Sequence, residues 1–114
     1  MEAPYLPELS TDERHALVAL VRNLVVADGH VSDSEMYDLV ELGVSLGQEE
    51  FGEAMRATRD IHRDRLATLE LARRVTREGV RRVILSIVEQ VAEGDGVHFA
   101  EVELIHQLRA IWGR

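Results

Sequence analysis

Four carboxylates in two matching settings are the residues of this chain best spaced for chemistry. Asp28 and Glu35 lie in VADGHVSDSE (residues 26–35), and Asp95 and Glu101 lie in EGDGVHFAE (residues 93–101). In each stretch an apolar segment ends in Asp-Gly, and a Glu follows seven or six residues after the Asp. Carboxylates grouped in a loop with free carbonyls and water are the oxygen donors that Ca²⁺ or Mg²⁺ requires. Two readings fit. The first is ordinary punctuation: Asp-Gly is a common turn, Gly29 and Gly96 suit the residue after a helix, and Ser32 with Glu35 makes a capping box. The second is a pair of cation-binding loops. It gains from electrostatics, because Asp28, Glu93 and Asp95 crowd helix C-termini, where the backbone dipole disfavours an acid by roughly 0.3–1 kcal/mol. A bound cation reverses that sign.

The elements that must hold these loops read as helices throughout, and no segment shows the period-two pattern of a strand. Residues 1–9, with Pro4 and Pro7, read as an extended leader, and 10–114 as one helical domain of about five to seven helices. Ser10 and Glu13 form a capping box that starts a helix. From His15 to Ala27 that helix is apolar on nearly all sides, the mark of a segment enclosed by neighbours. The next helix opens in SDSE (32–35), turns Met36, Leu39, Val40, Leu42 and Leu46 toward the core, and stops at Gly47. A more polar helix follows, with Phe51, Ala54, Met55 and Thr58 on one face. After a charged passage from Ile61 to Arg65 comes a short amphipathic helix, LATLELARRV. A second apolar helix begins near Thr76 and closes at Gly94 or Gly96. The last runs from about Phe99 to Trp112 and presents Val102, Ile105, Leu108 and Trp112.

Setting Asp28 on Asp95 reveals an internal duplication. Leu20, Val21 and Leu24 fall on Ile87, Val88 and Val91, and the polar pair Arg22–Asn23 falls on Glu89–Gln90. With a one-residue gap, Glu35 falls on Glu101, Leu39 on Ile105, Leu42 on Leu108, Leu46 on Trp112 and Gly47 on Gly113. Two helix-loop-helix units with the two apolar helices at the centre follow, and Arg22 and Glu89 are placed to face one another as a buried pair.

These residues resemble the TerB family of tellurite-resistance proteins and the related TerB-like domains found beside J-domains in co-chaperones. The likeness is carried by the helix ending VVADG, by VSDSE, by the helix ending LGVSLG, and by the second copy IVEQVAEGDG with AEVELIHQL, over roughly residues 12–113. It implies a duplicated all-helical fold, acidic loop residues as metal ligands, and a cytoplasmic stress-response role without an established catalytic activity. By position the ligands it implies are Asp28 and Glu35 in one copy and Asp95 and Glu101 in the other; Asp33 and Glu93 are added in support. The second loop departs from the pattern, being one residue shorter and reading EGDG. Calcium or magnesium is the favoured ion, and His30 and His98, each close to its loop, could admit manganese or zinc. The loops are not EF-hands, since their Gly follows the Asp at once and their Glu arrives too early.

Other chemistry is poorly served. Glu103 and His106 have the Glu-x-x-His spacing of di-iron bundles, but such sites need two of these pairs and two further Glu. His15 and His62 have no evident partner in the sequence. Neither a glycine-rich phosphate loop nor a nucleophile elbow is present, so an enzyme is the least favoured reading. The chain has no cysteine, which removes disulfides and thiolate zinc sites and favours a cytoplasmic address. Its longest apolar run is far short of the ~20 residues that cross a bilayer. The net charge of −8 over 114 residues argues against nucleic acid as partner. That charge is unevenly spread: nine Arg against four acids lie between Arg56 and Arg82, and the remainder is strongly acidic. Without interleaved aromatics the Arg-rich stretch reads as a solvated face, suited to an acidic protein or, peripherally, to an anionic membrane surface. A metal-independent protein adaptor using the Arg-rich and acidic faces is therefore the alternative to the cation-binding module.

Overall fold

The structure, a computed structural model, describes residues 8–26, 33–93 and 99–113, with backbone alone at 26, 33–36, 38 and 99–101. Six helices and, among the described residues, no strand make an all-α bundle: α1 (Thr11–Val26), α2 (Asp33–Leu46), α3 (Gln48–Ala57), α4 (Arg65–Arg73), α5 (Glu78–Glu93) and α6 (Phe99–Trp112). The expected box starts α1, with the Ser10 amide donating to Glu13 Oε1 (2.8 Å) and the Glu13 amide to Ser10 Oγ (3.3 Å). The helix then touches all five others. Every residue from Ala16 to Val21 is buried, as are Leu24 and Val25, so nearly the whole circumference of α1 is core. A helix with no polar face can be stable in water only when enclosed in this way.

The duplication reappears in the helix boundaries. Thr11 and Val26 bound α1, and the residues 67 positions further on, Glu78 and Glu93, bound α5; Asp33 and Leu46 bound α2, and Phe99 and Trp112, 66 positions on, bound α6. Leu46 and Trp112, both buried, each precede a glycine at positive φ, Gly47 at 103° and Gly113 at 69°. The conformation at Gly47, the single residue between the end of α2 and the start of α3, is one that a Cβ would strain. The two copies are not equally enclosed, however. α5 packs on α1 and α6 and buries Val80, Ile84, Leu85, Val88, Val91 and Ala92, while Arg82, Ser86, Gln90 and Glu93 stay exposed. α3 and α4 lie between the copies in sequence and take up the sides of α1 that α5 leaves open.

Val40 and Val102, expected on the inward faces of α2 and α6, lie outside them, Leu104 is buried in addition, and the Met36 side chain lies outside the described residues. Val40 is 57% exposed and Val102 is 47% exposed, whereas Leu42, Leu46, Leu104, Leu108 and Trp112 are buried. Both helices hold more apolar residues than one stripe needs, and the neighbour decides which stripe is covered. α2 lies chiefly against α3 and only lightly on α1, so Val40 falls outside the contact.

Candidate functional site

Four of the six acidic candidates, Asp33, Glu35, Glu93 and Glu101, lie at the ends of the duplicated helices. Asp28 and Asp95, with His30 and His98, lie outside the described residues. Asp33 and Glu35 are the first and third residues of α2, and Glu101 is the third residue of α6, so the two Glu hold the same place in their helices; their side chains are outside the described set. Glu93 is the last residue of α5, exposed, and lines a shallow groove of about 380 Å³ with Arg82, Leu85, Ser86, Glu89 and Gln90. Among the described residues no three His, Asp or Glu side chains are grouped to hold a metal ion.

The termini of these helices differ in charge. α3, α4 and α6 carry Arg56, Arg73 and Arg109 in their last turns, where a cation meets the negative end of the dipole. α1 and α5, the two helices that run into the Asp-Gly loops, have no basic residue there, and α5 ends in Glu93. α2 also lacks one, but it runs through Gly47 directly into α3.

Arg22 and Glu89 do not pair. Arg22 Nη1 donates to the Met55 carbonyl (2.8 Å) and to Thr58 Oγ1 (3.2 Å), so its charge caps the C-terminus of α3. Burial, with Arg59 and Arg63 close by, lowers its pKa from the ordinary Arg value. Glu89 instead accepts from Arg109 Nη2 on α6 at 3.0 Å. The duplication aligned Arg22 with Glu89, but only the first copy has α3 beside it, and the free carbonyls at the end of α3 are the stronger claim on a half-buried guanidinium.

Asn23 belongs to the same network. Its Nδ2 donates to the His62 carbonyl (2.7 Å) and its Oδ1 accepts from Arg65 Nε (2.9 Å), while Arg65 Nη1 reaches Gln107 Oε1 at 3.2 Å. Burial lowers the Arg65 pKa, and Glu103 opposes that shift. The one polar pair of α1 thus fastens the α3–α4 turn and, through Arg65, α6. Asn23→Ala is expected to cost about 1–3 kcal/mol, because it strips partners from buried polar groups. Urea unfolding checks the value.

Both histidines have partners that the sequence did not show. His15 Nε2 lies 2.9 Å from each carboxylate oxygen of Glu53 on α3. His62 is buried, with Nδ1 at 3.0 Å from the Thr58 carbonyl. Glu103 and His106 are exposed, away from the buried face of α6, as the spacing indicated.

Glu13 is the most constrained carboxylate among the described residues. Besides capping α1, it accepts from Arg77 Nε (2.7 Å) and Nη2 (2.6 Å), a bidentate pair that ties the first turn of α1 to the residue preceding α5. The Arg77 bonds outweigh burial and hold its carboxyl below the usual 4.5. No protein-family model, no curated protein and no solved structure matches the chain.

Proposed function

We propose that the chain is a divalent-cation-binding helical module, a sensor or scaffold without catalytic machinery of its own, working in the cytoplasm. Asp28, Glu35, Asp95 and Glu101 supply the oxygen ligands, Asp33 and Glu93 support them, and Ca²⁺ or Mg²⁺ is the favoured ion. The observation that supports this most is the charge pattern at the helix ends. α3, α4 and α6 close with Arg, whereas α1 and α5, which lead into the acidic loops, close without a base, as does α2 where it runs directly into α3. Acids set against the negative ends of two helix dipoles are unfavourable alone and favourable around a cation. The likeness to TerB domains points the same way.

Melting of the metal-free protein with and without cation tests the reading. An ion present at a hundred times its dissociation constant adds about 2.7 kcal/mol of stability. For a domain of this size that raises Tm by roughly 10 °C. The rise should vanish in the Asp28→Asn, Asp95→Asn double variant. An equal rise in that variant would place the ion elsewhere.

A second reading, a metal-independent adaptor for a protein partner, is supported by the exposed faces. Arg56, Arg59, Arg63, Arg73 and Arg74 are all exposed, on or beside α3 and α4. No helix among the described residues is long and apolar enough to cross a membrane.

A further inference from the structure

Val40 and Val44 are 57% and 75% exposed, one turn apart on α2, and Tyr37, 63% exposed, precedes them on the same stripe. They border a groove of about 450 Å³ lined by Val40, Gly43, Val44, Gln48 and Phe51. Gly43 is what opens it: a Cβ there would stand 3.1 Å from the Phe51 ring, so the missing side chain lets the ring lie against α2. Single exposed apolar residues are ordinary, but a helical stripe of them beside a half-buried ring is a contiguous patch of the kind that marks a binding surface. The charge along this part of the sequence is one-sided. Residues 33–55 hold seven acids (Asp33, Glu35, Asp38, Glu41, Glu49, Glu50 and Glu53) and no Lys or Arg. Of these, Glu41 and Glu49 are exposed and Glu50 is half-buried.

From this juxtaposition we infer that the α2–α3 groove docks a basic amphipathic helix of a partner protein, whose apolar side chains meet Val40, Val44 and Phe51 and whose Lys or Arg residues meet the surrounding acids. The spacing of Val40 and Val44 matches the one-turn ridges of a helix laid in a groove. A second copy of this chain suits the groove poorly, because a net charge of −8 opposes self-association, and an anionic membrane is repelled by the same acids. The inference deepens the adaptor reading and needs no cation, so it stands or falls separately from the loop sites.

Fluorescence anisotropy of a labelled synthetic helix of about 14 residues, with Leu at one-turn spacing flanked by Lys and Arg, tests it in chelator. A second peptide with Glu at the basic positions is the comparison. The chain should bind the basic peptide saturably and the acidic one not at all. Val44→Asp and Val40→Asp should each weaken binding by at least about tenfold, since they put an unpaired carboxylate into the apolar contact. Leu66→Asp, at a site 75% exposed on α4 and outside the groove lining, should leave it unchanged. Charge alone predicts the reverse for the groove variants, because each added carboxylate attracts a cationic peptide more strongly. Equal or tighter binding by Val44→Asp therefore overturns the inference, as does absence of binding by the parent chain. Concentration-dependent sedimentation abolished by Val44→Asp would assign the groove to a second copy and overturn it too. All three substitutions are at exposed positions, and circular dichroism confirms that the variants stay folded.

Discussion

Replacing Trp112 with Ala is expected to lower unfolding stability by about 3–5 kcal/mol, the usual cost of deleting a buried Trp side chain. Trp112 is 5% exposed, closes α6, and donates from Nε1 to the Ala72 carbonyl near the end of α4 at 2.9 Å. Its loss leaves a cavity and removes the hydrogen bond between α6 and α4, while the Ala72 carbonyl keeps the Val75 amide as donor at 3.1 Å. Domains of this kind have about 5–15 kcal/mol in total, so α6 should be frayed or lost under mild conditions. Trp112→Phe keeps most of the volume and gives up the bond, for which about 0.5–1.5 kcal/mol is expected, since the Ala72 carbonyl retains the Val75 amide. Chemical denaturation followed by circular dichroism measures both, since this is the only Trp and its fluorescence disappears with it.

Glu13→Ala is expected to cost about 2–3 kcal/mol, combining a lost helix cap with lost charge-assisted hydrogen bonds that Arg77 donates to a buried carboxylate. The pH dependence identifies the cause. The folded-state pKa of Glu13 lies below its ordinary 4.5, so the folded protein binds fewer protons than the unfolded chain as the solution is acidified past that value. The contribution is therefore complete at neutral pH and fades as pH falls below about 4.5 and through the folded pKa. Glu13→Gln should be less stable than the parent at pH 7 and should show less acid sensitivity in that window. Because Arg77 is 56% exposed, part of the difference should be screened by salt.

Features written within one turn of chain were legible in the sequence. The Ser10–Glu13 box, the enclosed nature of α1 and the extent of α6 follow from local spacing and appear as expected. α4 starts at Arg65, one residue before the LATLELARRV stretch, because the Asp64 side chain accepts from the Ala67 amide at 3.1 Å and caps the helix there. Features set by distant neighbours were not legible. Nothing near Glu13 in the chain announces Arg77, and nothing near His15 announces Glu53. The duplication pairs Arg22 with Glu89, whereas α3 breaks that symmetry in the first copy alone. Val40 and Val102 lie on apolar stripes that fit a helix period as well as the stripes that are buried, and only the packing of α2 and α6 chooses between them.

The candidate site divides in the same way. That Glu35 and Glu101 hold the same place in α2 and α6 follows the duplication read from the sequence. The charge contrast among helix ends needed the helix boundaries, since a last turn can be examined for Arg only when its position is known. Asp28 and Asp95 lie outside the described residues, and the reading of them as ligands stands on sequence and on the helix ends that precede them.

Titration calorimetry of the metal-free chain with Ca²⁺, Mg²⁺, Mn²⁺ and Zn²⁺ addresses the cation-binding proposal most directly. Saturable heat with Ca²⁺ or Mg²⁺, abolished in the Asp28→Asn, Asp95→Asn variant while its helical content is unchanged, is the predicted result. No heat with any of the four ions at millimolar concentration would contradict it and leave the Asp-Gly corners as helix punctuation.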